Sequence, residues 1–103
     1  MVYQIRRECD RIKRIYKYNL PETGGVLTLN IPPIYQILKV DLQNNNPVFW
    51  AIIYPEEENK KYQITGLWTG MEYEEKDGTY IGTLTIDELV YHYFIREVYD
   101  GTR

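Results

Sequence analysis

The sequence predicts an all-β fold, a mainly antiparallel sandwich or barrel of about seven strands, and three observations predict it. Runs of β-branched and aromatic residues recur at roughly ten-residue spacing, Pro, Gly, Asn and Asp clusters separate them, and 103 residues leave room for one hydrophobic core. The chain 1–103 therefore reads as a single domain, with residues 1–12 as an N-terminal extension.

Residues 13–20, KRIYKYNL, suit a half-exposed strand, which Pro21 and Gly24-Gly25 break. In 26–31 the alternation is clean, with Leu27, Leu29 and Ile31 on one side and Thr28 and Asn30 on the other. Pro32-Pro33 ends that strand because neither residue can donate to a ladder. Residues 35–42 form the next strand, followed by the polar turn 44–47, and the pair reads as a hairpin, after which comes 48–54. VFWAIIY is apolar on both faces, which predicts a central strand covered from two sides, with Phe49 and Trp50 anchoring the core. After the acidic turn 56–58, residues 61–68 alternate again.

TGMEYEEKDGT, residues 69–79, loses the pattern and predicts a mobile acidic loop closed by the turn pair Asp77-Gly78. Strand 80–86 contains Gly82, a signal for a bulge, and Asp87-Glu88 makes a tight connection to 89–98. That last segment is rich in β-branched and aromatic residues and reads as strand, with an aromatic-rich helix as the alternative. In residues 1–12, Val2, Ile5, Cys9 and Ile12 stand near helical spacing, so a short N-terminal helix and a short pairing strand both fit.

Composition closes several kinds of chemistry. The chain contains no serine, which removes any Ser-His-Asp arrangement. Cys9 and His92 are each alone of their kind, so a Cys-His pair lacks a local signature and a zinc site lacks ligands. The glycines form neither a P-loop nor a dinucleotide fingerprint, and the loop 72–77 lacks the ligand spacing of a calcium loop. The expectation is a protein that is not an enzyme and needs no cofactor or metal. A lone cysteine and the absence of a long apolar run point to a reducing, cytoplasmic setting without a membrane span.

What remains points to binding. Eleven tyrosines exceed what one small core can hide. Six of the twelve basic residues, Arg6, Arg7, Arg11, Lys13, Arg14 and Lys17, lie in the first 17 positions, although the net charge is −3. Such an end can meet phosphates, and it can equally be a solvated edge strand blunted by lysine and arginine. The net charge disfavours nucleic acid without removing it. The candidate ligand-binding residues are Arg14, Lys17, Trp68, Tyr80 and His92, and the candidate partner-binding loop carries Glu72, Glu74, Glu75 and Asp77. On a strand, His92 shares a face with Val90 and Phe94, and a hydrogen-bonded, partly buried imidazole is its plainest reading.

KRIYKYNLP, then LTLNIPPIYQILKVDLQNNNPVFWAIIYP, ITGLWTG and YIGTLTIDELVYHYFIRE together resemble a family of small uncharacterised bacteriophage proteins known as a domain of unknown function, over residues 13–97. The carriers are residues 15–18, Pro47, Trp50-Ala51, Gly66, Gly70, residues 80–83 and residues 89–92. The resemblance implies a phage setting inside a bacterium and brings no catalytic residues. It suggests an anti-defence factor that either sequesters a nucleotide second messenger, with the site at a homo-oligomer interface, or blocks a host defence protein. A phage structural or assembly component, and a nucleic-acid-binding accessory protein using the basic end, are the alternatives.

Overall fold

The computed structural model describes residues 11–22 and 24–99, so most of the ambiguous N-terminal segment, including Arg6, Arg7 and Cys9, lies outside the described residues. Seven strands follow in chain order: β1 (Arg14–Asn19), β2 (Gly25–Ile31), β3 (Ile34–Gln43), β4 (Asn46–Ile53), β5 (Lys60–Trp68), β6 (Thr79–Ile86) and β7 (Leu89–Val98). They form two antiparallel sheets, a three-stranded one ordered β1-β4-β3 and a four-stranded one ordered β2-β5-β7-β6. The expected all-β sandwich is what forms, and residues 89–98 are strand rather than helix.

The core lies between the sheets. Phe49, Ala51 and Ile53 of β4 face Ile64 of β5, Leu84 of β6 and Tyr91 and Tyr93 of β7, with Leu20 closing one side. Each set alternates along its strand, so the inner face of each pleat is buried, while on the outer faces only Val48 of β4 and Thr65 of β5 are buried among the residues of these two strands. Leu27, Leu29 and Ile31 follow the same rule on β2, with Thr28 and Asn30 exposed opposite them.

Tyr93 joins the two halves. Its ring passes over Gly66, where an added Cβ would stand 3.0 Å from a ring carbon, and its hydroxyl donates to the Pro21 carbonyl at 3.3 Å. Burial pushes the Tyr93 hydroxyl up to about 12. A second link runs from the Ile34 amide, which donates to the Tyr62 hydroxyl at 2.9 Å. At Gly82 the bulge in β6 lets that strand approach β3 so closely that a Cβ would lie 2.1 Å from a Val40 methyl.

Two-residue turns close the hairpins β3-β4 and β6-β7, and both central residues of each have positive φ: Asn44 at 53° and Asn45 at 68°, Asp87 at 50° and Glu88 at 72°. One expectation requires correction. β4 is central within its sheet but is not covered from two sides: Phe49 is fully buried, whereas Trp50 points the other way and is half-buried on the outer face. Alternation separates the two neighbours, and among the described residues no layer packs beyond the three-stranded sheet.

Candidate binding surfaces

The outer face of the three-stranded sheet is built in rows, because directly paired residues of antiparallel strands point the same way. Register places Lys17 of β1 and Lys39 of β3 on either side of Trp50, Ile15 and Gln36 on either side of Ile52, and Asn19 and Asp41 on either side of Val48. One step further, beyond the strand ends, Lys13 approaches the rings of Tyr35 and Tyr54 at 5.0 and 5.5 Å. The Arg11 guanidinium lies 4.1 Å from the Tyr54 centroid. The two tyrosines meet edge to face at 5.7 Å.

Anions answer two of these cations. Glu57 accepts from Arg11 at 2.6 Å, which raises the guanidinium above its already high ordinary value. Lys39 holds Asp41 at 3.0 Å, and that bond, aided by the Leu42 amide at 2.7 Å, lowers the Asp41 carboxyl below the usual range. Lys17 donates to the neutral Gln43 amide. Among the described residues, four cations of the face stand against two paired carboxylates, with Ile15 at 60% exposure and Tyr35 at 55% among them.

Topology dictates the other outer face. β5 and β6 both pair antiparallel with β7, so they run parallel to each other with β7 between them. Trp68 ends β5 opposite Tyr91, while Thr79 starts β6 opposite Ile95. Residues 69–78 must therefore return along β7, and they do so across its outer face. The Thr69 amide donates to the Val90 carbonyl at 3.1 Å. Tyr73 packs on Phe94 with centroids 4.9 Å apart, and its hydroxyl donates to the Gly78 carbonyl at 3.2 Å. Gly78, at φ 107°, lies so near the chain that an added Cβ would be 2.2 Å from the Ile95 carbonyl oxygen. A 3-10 turn, Glu75–Asp77, with a capping box between Glu74 and Asp77 completes the strap. The acidic loop expected to be mobile is instead tied down along its length.

His92 sits under the start of this strap. Its Nε2 lies 3.0 Å from Thr69 Oγ1 and its Nδ1 lies 3.0 Å from Thr83 Oγ1. Thr83 in turn meets the Tyr80 hydroxyl at 2.6 Å. In a neutral imidazole one nitrogen donates and the other accepts, so one threonine is donor and the other acceptor. With both nitrogens engaged, the ring bridges Thr69 at the start of the strap to Thr83 of β6.

The residues singled out in the sequence separate into distinct places. Tyr80 and His92 share one network through Thr83. Trp68, 42% exposed, lies on the opposite face of the same sheet, edge-on to Tyr91 at 6.0 Å and against Gly24. Arg14 and Lys17 are both on β1, but Arg14 pairs with Ile53 on the inner side and Lys17 with Trp50 on the outer side. Glu72, Glu74 and Glu75 are exposed on the strap, Asp77 is half-buried, and Lys76 pairs with Glu74 at 3.2 Å. Residue-by-residue reading missed Arg11, Lys13, Tyr35, Lys39, Trp50 and Tyr54 as members of one surface. The period-two spacing of Arg11, Lys13, Ile15 and Lys17 was the available signal.

Among the described residues, no group of three or more His, Cys, Asp or Glu side chains is placed to hold a metal ion. One open depression of about 350 Å³ adjoins the Asn19 end of the three-stranded sheet beside Leu20, Pro21 and Pro47, and another of about 580 Å³ lies beside Asn59, Lys60 and Tyr99. Comparison with known proteins matches residues 11–101 to a family described as a domain of unknown function (DUF7352), and the chain belongs to that family. No curated protein and no solved structure matches it.

Proposed function

We propose that this member of the DUF7352 family is a non-enzymatic phage accessory protein that counteracts a bacterial immune system by binding, acting in the host cytoplasm through the outer face of its three-stranded sheet. The observation that carries the reading is that face: Arg11, Lys13, Lys17 and Lys39 surround Tyr35, Tyr54 and Trp50 on a sheet that no other layer covers among the described residues. A flat surface combining cations with aromatic rings suits a ligand that bears phosphates and bases, which favours sequestering a nucleotide signal or a nucleic acid. The phage setting rests on the resemblance of residues 13–97.

A second route has its own observation. The strap presents Glu72, Glu74 and Glu75 on the opposite side of the molecule, an arrangement that suits opposing a basic channel of a host defence protein. One experiment separates the routes: the protein is expressed in bacteria carrying a panel of defence systems, which are then challenged with phage. Rescue that is lost in the Lys17→Glu/Lys39→Glu variant and kept in Glu72→Gln/Glu75→Gln is the expected result. The reverse pattern moves the function to the strap, and no rescue across the panel removes the anti-defence reading.

A further inference from the structure

We infer that the outer face of the three-stranded sheet binds single-stranded nucleic acid, laid along β4 with bases on Tyr35 and Trp50 and phosphates on Arg11, Lys13, Lys17 and Lys39. This deepens the proposed function and rests on the same face.

Size argues for a polymer. The Tyr35-Tyr54 pair and Trp50 stand four residues apart along β4, a separation of about 13 Å at the rise of an extended strand. Cations flank both stations, so no single mononucleotide reaches them all. Among the described residues, the face between the two stations is open rather than enclosed.

The aromatic rings argue for unpaired bases. Bases stack on side chains only when they are out of a duplex, and stacking of this kind is tolerant of sequence. Tyr35 is 55% exposed, and Trp50 lies partly buried between two ammonium groups. The ion pairs on the face are surface pairs, which exchange readily for phosphate.

The net charge of −3 does not oppose this placement. Four of the fifteen acidic residues, Glu72, Glu74, Glu75 and Asp77, sit on the strap, beyond the second sheet. Packed sheets are about 10 Å apart, farther than the Debye length of about 8 Å at physiological salt, so the strap is largely screened from a ligand on this face.

The test is fluorescence anisotropy of the whole chain with a fluorescein-labelled oligothymidylate of about twelve nucleotides, a length within the usual single-strand site range. Four phosphate contacts predict a slope of log K against log salt of roughly −3, falling to roughly half in Lys17→Gln/Lys39→Gln. Tyr35→Ala, an exposed position, should weaken binding about tenfold with the slope unchanged. Circular dichroism confirms that each variant is folded. The inference is overturned by no binding at low salt, by equal affinity for the matching duplex, or by indifference to Tyr35→Ala. It is also overturned if sedimentation shows the face occupied by a second copy, with the strap of one molecule on the lysines of the next. Phage rescue without oligonucleotide binding sinks this inference and leaves the anti-defence reading standing, whereas binding without rescue does the opposite.

Discussion

The two outer faces of this sandwich start from the same kind of alternating strand and end differently. On the three-stranded sheet, β1 and β3 flank β4 by direct hairpin or neighbour pairing, so no connection needs to cross the outside, and Trp50, Ile15 and Tyr35 stay at the surface with their lysines. On the four-stranded sheet, β7 separates the consecutive strands β5 and β6, so residues 69–78 have to cross it. That crossing covers Phe94 and His92 and places the acidic residues outermost. Strand order alone therefore decides which aromatic residues serve packing and which remain available to a partner. It also gives the molecule a basic side and an acidic side.

The comparison can be broken most forcefully at β4, where two adjacent aromatic residues face opposite ways. Phe49→Ala should cost about 3–5 kcal/mol in chemical denaturation, as expected for a fully buried aromatic. Trp50→Ala should cost no more than about 2 kcal/mol, because its face is only half-buried. Equal losses would mean that the outer face is covered after all.

Tyr93 spans both halves, and its titration tests whether they unfold together. Its folded value of about 12 stands above the ordinary tyrosine value of 10, so the protonated form favours the fold. The stability is fully present below pH 10 and is lost as pH rises from 10 towards 12, by up to roughly 2–3 kcal/mol. Tyr93→Phe should flatten that alkaline limb in urea midpoints measured across pH.

A smaller effect is expected at the strap. Phe94→Ala removes the ring that Tyr73 and Tyr80 pack against and should cost about 1–2 kcal/mol. It should also speed proteolysis within residues 69–78, read by mass spectrometry, while leaving cleavage elsewhere unchanged. Cleavage that stays slow would show that the hydrogen bonds of Thr69 and Gly78 hold the strap without the aromatic contact.

The smallest change compares the two hairpins. Asn44-Asn45 suits left-handed backbone, whereas Glu88 at φ 72° does not. Glu88→Gly should therefore stabilise by about 0.5–1 kcal/mol, and Asn45→Gly by less, in thermal unfolding. A larger gain at Asn45 would reverse this ranking of the turns.

Much of the fold was legible because strands announce themselves locally. The Pro32-Pro33 break, the Asn44-Asn45 turn and the bulge at Gly82 all follow from backbone constraints of the residues concerned. The candidate site was less so. Tyr80 and His92 come together because β6 and β7 are paired neighbours, while Arg14 and Lys17, three positions apart, diverge because a strand repeats every two. VFWAIIY is apolar on both sides, a pattern that fits burial on two faces as well as burial on one with a partly exposed Trp50 on the other, so the sequence does not separate Trp50 from the core.

By itself the sequence determined that the chain forms β-strands, where they begin and end, and that serine and paired cysteine or histidine chemistry is absent, since these depend on residue identity and short-range sterics. The tertiary structure alone decided that β7 lies between β5 and β6, that the acidic loop is a strap rather than a mobile arm, and that four cations share a face with three aromatic rings. Each of these depends on which strand pairs with which. Pairing is chosen by the fit of whole buried faces across long stretches of chain, a quantity that no local run of residues contains.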